Sequence, residues 1–154
     1  MTDKTTEKQP LIEPIAEQSV FDVFKDFGSA GQGVTNFMGD RNATMVFIAE
    51  ATSGESLQGG EHVGEEIDFD YWFVHAVEIE NKDSGEMMTV PRVVLFTPQG
   101  NSYSFASFGV YQSLRTILQF LGTGVLSPPA RVCIRQKRTR KGYGVLFLKP
   151  VVSD

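Results

Sequence analysis

From Ala43 onward, apolar and polar positions fall in short β-like runs set apart by turn residues. This period-2 pattern predicts strands near Phe69–Glu80, Met88–Thr97, Ser102–Ser107, Ala130–Lys137 and Tyr143–Val151, and the run Ala43–Thr52 reads as a strand too. Asn81-Lys-Asp-Ser-Gly85 and Pro98-Gln-Gly-Asn101 carry the Gly, Asn and Pro chemistry of hairpin loops. A third joint, Arg138-Thr-Arg-Lys-Gly142, is a hairpin tip made largely of cations. Between Phe108 and Leu121 the period changes: Val110, Leu114, Ile117, Leu118 and Leu121 fall on one helical face. Ser107 can cap this helix, and Gly122 followed by Pro128-Pro129 ends it.

The first part of the chain is different. Residues 1–18 are polar, with Pro10 and Pro14, and read as a mobile arm. Residues 19–40 read as a short helix and a Gly-rich connector: Phe21, Phe24 and Phe27 recur every three residues, then Gly28, Gly31, Gly33 and Gly39 break regular structure. Docking onto the core is the plain reading of the three phenylalanines, and a partner site is the other. Residues 41–154 form the main domain.

Strand, long strand, hairpin strand, helix, final hairpin is the order of a mainly β oligonucleotide-binding (OB) barrel. Such a barrel has five strands, with one α-helix between the third and fourth. A β-sandwich is the alternative, and the amphipathic helix argues against it.

With 154 residues and 41% hydrophobic content the chain can build one real core. No run approaches the ~20 apolar residues of a membrane span. The start carries Asp3 and Glu7 where a secretory signal would be basic, so a cytoplasmic location is expected. Cys133 is the single cysteine, which leaves no internal disulfide and no multi-cysteine metal site.

Charge changes the picture more. The net of −5 would disfavour a polyanionic partner if it were spread evenly. Met1–Glu86 instead holds 5 Lys/Arg against 18 Asp/Glu, a net of −13, while Met87–Asp154 holds 9 against 1, a net of +8. Seven of those nine cations lie between Arg131 and Lys149. Alternation puts Arg131, Cys133, Arg135 and Lys137 opposite core positions Val132 and Ile134. In the last strand Leu146 and Leu148 read as core, with Tyr143, Val145, Phe147 and Lys149 outside. A solvated hairpin that discourages edge pairing is the bland reading.

Rings tip that balance. Trp72 falls with Glu78 and Glu80 on the face opposite Phe73, Val77 and Ile79, Arg92 shares a face with Phe96, and Tyr103 shares one with Phe105. Single strands need rings on which bases stack, at about 1–3 kcal/mol each, interleaved with cations that track phosphates. Phe96, Phe105 and Phe147 taken singly read as core, while Trp72, Tyr103 and Tyr143 read as stackers.

Catalytic chemistry is thin. His62 lies in a Gly/Glu-rich loop and His75 in the barrel with Phe73, and neither has a nucleophile beside it. Glu61, Glu65, Glu66, Asp68 and Asp70 lack EF-hand spacing and read as a solvated acidic loop. No enzyme, cofactor or metal is expected.

Several phrases in this chain carry a resemblance: His75-Ala-Val-Glu-Ile-Glu80, Asp83-Ser-Gly85, Pro91-Arg-Val-Val-Leu95, the Tyr103–Leu114 stretch and Arg135–Gly144. Over about Val74–Val151 the chain resembles OB-fold single-stranded DNA-binding proteins of bacteriophages and conjugative plasmids. The resemblance implies a role on single-stranded DNA in replication, recombination or transfer, without a cofactor. Cellular bacterial single-strand binders end in an acidic, Phe-terminated tail; this chain ends Lys-Pro-Val-Val-Ser-Asp154. A recruiting segment for replication or recombination proteins would then be the acidic N-terminal arm or the Glu50–Asp70 region.

The resulting expectation is sequence-tolerant single-strand binding in a groove. Arg92, Arg131, Arg135, Lys137, Arg138, Arg140 and Lys141 serve phosphates, and Trp72, Tyr103 and Tyr143 stack on bases. An RNA-binding OB domain and a protein-interaction module are the rival readings, and a homo-oligomer is compatible with all three.

Overall fold

The computed structural model describes residues 33–138, 140 and 144–152. The expected arm, the Phe21/Phe24/Phe27 helix, Lys141 and Tyr143 lie outside those residues. In chain order the elements are β1 (Gly33–Thr35), α1 (Arg41–Thr52), β2 (Leu57–Gln58), a 3-10 turn (Gly59–Glu61), β3 (Glu66–Phe69) and β4 (Tyr71–Glu80). They continue with β5 (Met87–Phe96), β6 (Ser102–Ala106), α2 (Phe108–Leu121), β7 (Ala130–Arg138) and β8 (Gly144–Pro150). They form two sheets, ordered β1-β4-β5-β6-β2 and β3-β7-β8.

β4 and β5 pair antiparallel along their full ten residues, from Tyr71↔Phe96 to Glu80↔Met87. Asn81 builds the turn between them: its side-chain oxygen accepts the Asp83 N–H at 2.8 Å, and Gly85 takes the positive φ of 76° that closes it. Trp72, Phe73 and Val74 are buried in succession, as are Val93, Val94 and Leu95. Continuous burial means that this sheet is covered on both faces.

α2 covers one face. It has the bounds that the periodicity predicts: Ser107 Oγ accepts the Val110 N–H at 3.2 Å, and Gly122, at φ 83°, ends it. Val110, Leu114, Ile117 and Leu118 meet Trp72, Leu95, Val132, Ile134 and Leu148 in the main core. α1 covers the other face with a smaller layer of Phe47, Ala51, Phe73 and Val94.

That α1 is a helix corrects the strand expected over Ala43–Thr52. Asp40 caps it, its carboxylate accepting the Ala43 N–H at 2.8 Å. Arg41, Ala43, Met45, Ala49, Glu50 and Ala51 supply helix propensity. The β-branched Val46 and Ile48, which favour strand locally, sit on its exposed side.

The closed five-stranded barrel is corrected too. On one side the sheets are continuous through a one-residue bend, Asp70, between β3 and β4. On the other, β6 and β8 do not pair, because β2 has taken the β6 edge in parallel, Leu57↔Tyr103. The 3-10 turn fills that seam. Gly59 lies so close that an added Cβ would stand 1.9 Å from the Phe105 ring, and one on Gly60 would stand 3.6 Å from Leu146.

Part of the Gly-rich connector is structural. β1 adds to the β4 edge, Val34↔Val74, where an added Cβ on Gly33 would stand 2.5 Å from the Phe73 ring. Buried Asn36 ties the bend, donating to the Asp70 and Gly124 carbonyls at 2.8 and 3.0 Å and accepting the Trp72 N–H at 2.9 Å.

Candidate functional site

Parity along β7 follows the alternation in the sequence. Val132 and Ile134 are buried, while Arg131, Arg135 and Lys137 are exposed on the opposite side with half-buried Cys133. Register brings the outer β8 residues beside them: Cys133↔Lys149, Arg135↔Phe147, Lys137↔Val145. Lys137 Nζ stands 5.8 Å from the centroid of the half-buried Phe147 ring. β3 pairs β7 through Glu66↔Cys133, and Glu65 still meets Ile134. The far end of β7 and β8 therefore projects as a two-stranded ribbon carrying Arg135, Lys137 and Arg138, with exposed Arg140 at its tip.

The near end of the same face is acidic. Arg131 donates to Asp68 with two parallel bonds, Nε to Oδ1 at 2.8 Å and Nη2 to Oδ2 at 3.2 Å. Hydrogen bonding to Arg131 holds the Asp68 carboxyl below its ordinary 3.8, and the same bond raises Arg131. The pair borders a cleft of about 300 Å³ lined also by Glu66, Thr97, Gln99, Asn101 and Tyr103. The half-buried Tyr103 ring meets His62 edge-on, centroids 5.4 Å apart, and His62 Nδ1 lies 2.7 Å from a Glu65 carboxylate oxygen.

Two expected site residues are elsewhere. Trp72 is 1% exposed, in the main core. Its strand parity, shared with Glu78 and Glu80, is the one that alternation along the sequence predicts. A ten-residue strand spans about 33 Å, however, so the face is core at Trp72 and becomes polar only where the β4–β5 ribbon leaves the core. Arg92 lies on the α1 side of the larger sheet. Its Nη1 donates to the Ala51 carbonyl at 2.7 Å and sits 3.1 Å from His75 Nε2. Burial, then the neighbouring Arg92, push His75 down to about 4. Phe105 is buried, Phe96 belongs to the α1 layer, and Phe147 proves to be part of the cationic face. The alternation in β8 was the signal for Phe147.

Among the described residues no three His, Cys, Asp or Glu side chains gather as a metal site, and no helix is long and apolar enough to cross a membrane. A family model described as phage single-stranded DNA-binding protein, of the phi29 type, matches residues 37–149, from just before α1 almost to the end of β8. The chain belongs to the phage single-stranded DNA-binding proteins. No curated protein and no solved structure matches it. Single-stranded DNA is thus the partner. For this phage single-stranded DNA-binding protein the uneven charge becomes intelligible: an acidic protein can hold a polyanion where its cations outnumber its carboxylates, as they do from Met87 on.

Proposed function

We propose that this protein coats single-stranded DNA with little sequence preference, the strand running along the outer face of β7 and β8. The observation that carries the reading is the set of exposed Arg135 and Lys137 with half-buried Phe147, placed side by side by register. Arg138 adds charge at the end of the ribbon on its opposite face, exposed Arg140 lies at the tip, and Lys141 and Tyr143 follow in sequence. At the other end the strand reaches the Tyr103 cleft, where a base stacks and Arg131 meets a phosphate. Contacts of this kind bind the backbone and any π-face, so they do not read sequence.

The architecture is read as an opened OB fold. β3 and β4 act as one bent strand serving both sheets, followed by β5, β6, α2, β7 and β8 in the OB order. One such domain covers roughly 4–16 nucleotides. Coating of this kind serves replication, recombination or transfer by protecting the strand, with the acidic N-terminal region as the segment that recruits other proteins. The chemistry is binding, without a catalytic step.

The test is a salt titration of poly-dT binding by Arg135→Ala/Lys137→Ala. Loss of two phosphate contacts lowers the slope of log K against log salt by about 1.4, while duplex DNA of equal charge binds more weakly throughout. An unchanged slope removes the ribbon from the interface. Preference for RNA over DNA oligonucleotides would favour the RNA reading, and loss of all nucleic-acid binding at low salt would favour a protein-interaction module.

A further inference from the structure

The face of the larger sheet turned toward α1 is also built of rings and cations. Tyr71, Phe73 and His75 alternate along β4, and register sets Phe96 opposite Tyr71 and Arg92 opposite His75. The cover over this layer comes from α1 and the residues leading into it. Phe37 and Phe47 lie parallel, centroids 4.4 Å apart and planes within 10°. Phe47 in turn rests 4.5 Å from Phe96. One stacked pair thus sits at a 36° tilt on a third ring, and such ring faces are the kind on which bases stack.

The cover is lightly attached. Of the twelve α1 residues only Phe47 and Ala51 are buried, whereas Met45 and Val46 are each 60% exposed. Glycines flank the helix at Gly39 and Gly54, the latter at φ 83° with open space around it. The margin carries an electrostatic mismatch. Half-buried Arg92 is held by a neutral carbonyl and an imidazole, and among the described residues no carboxylate pairs with it. A half-buried cation that only neutral groups hold among the described residues favours an anion that reaches it, and the partner of this protein is a chain of phosphates.

We propose that the face beneath α1 is a second single-stranded DNA contact surface, uncovered when α1 swings away about Gly39 and Gly54. Bases replace Phe37 and Phe47 on Phe96 and Tyr71, and a phosphate replaces the Ala51 carbonyl on Arg92. The free protein then keeps the surface shut with its own rings, and α1 release is coupled to strand binding. This rests on single-stranded DNA being the ligand, but not on the ribbon being its first contact.

Hydrogen exchange of the full chain with and without a dT oligonucleotide, together with ultraviolet cross-linking and peptide mapping, tests it. α1 amides should exchange at least ~10-fold faster with DNA bound, with cross-links at Phe96 or Tyr71. In Phe47→Ala the α1 amides should already be fast without DNA, and affinity should rise several-fold. Unchanged or slower α1 exchange in the wild-type complex, with cross-links confined to β7, β8 and Tyr103, overturns the proposal and leaves the ribbon reading standing. Opening of α1 without protection or cross-links on β7 and β8 upholds it and removes the ribbon instead.

Discussion

Arg131 and Asp68, on neighbouring strands, are joined by a bidentate ion pair at the lip of the Tyr103 cleft. The guanidinium that the sequence offers to a phosphate is therefore already claimed by a carboxylate, whose pKa the same contact lowers. On the proposed path a phosphate that reaches Arg131 would compete with Asp68 for it. Asp68→Asn should bind poly-dT more tightly and steepen the salt slope by about 0.7, one further phosphate contact on a single strand. In an Arg131→Ala background the same substitution should lose that added slope, because the released cation is gone. Salt titrations of the four proteins check this.

Trp72 behaves as core. Its ring is buried with Val74, Leu95 and Leu114, and its indole N–H has no partner among the described residues. Poly-dT should therefore leave Trp72 fluorescence nearly unchanged, whereas base stacking on it would quench strongly. Trp72→Phe keeps most of the packing and forfeits no hydrogen bond, so DNA affinity should be retained. Trp72→Ala should cost about 3–5 kcal/mol in a urea melt.

How far the sequence could be read follows from where each piece of information lies. α2 was legible to the residue, since its period, Ser107 cap and Gly122 stop are all local. The five strands from Phe69 on were legible within a few residues for the same reason, and so was the outward row Arg131, Arg135 and Lys137. α1 was not, because the Asp40 cap competes with the β-branched Val46 and Ile48 and the pattern shows both. The open seam was hidden because β2, the strand that takes the β6 edge, is two residues long. The claim of Asp68 on Arg131 spans 63 positions in sequence, and no local pattern carries it. Trp72 and Arg92 were assigned to usable faces because alternation gives parity but not the point at which a strand leaves the core or passes beneath a helix.

The first turn of α2 is pressed against β8. A Cβ added to Gly109 would stand 2.1 Å from the Leu146 carbonyl oxygen and 3.0 Å from a Val145 methyl. Backbone cannot yield as a side-chain end does, so Gly109→Ala must lift the helix from the strand whose other face carries Phe147. The expected cost is about 1–3 kcal/mol, with weaker DNA binding as the ribbon loses its support. Gly124→Ala, where an added Cβ meets nothing within 4 Å, should be close to neutral. Paired thermal melts of the two variants decide it.

His75 gives the fold a pH dependence of definite sign. In the unfolded chain it titrates near 6.5, whereas in the native protein burial and Arg92 hold it near 4. Between those values the unfolded state binds more protons, so stability falls as pH drops from about 6.5 toward 4 and is unaffected by this group above that range. After discounting for partial exposure the loss is on the order of 1–2 kcal/mol. The Nε2 atom that faces Arg92 at 3.1 Å must be unprotonated to accept that bond, so protonation also strains the hold of Arg92 on the α1 carboxyl end. Urea melts at pH 7 and pH 5 should show the drop, and His75→Gln, neutral at both, should flatten it. If the two proteins lose stability equally, His75 is not the group responsible, and the depressed pKa is contradicted.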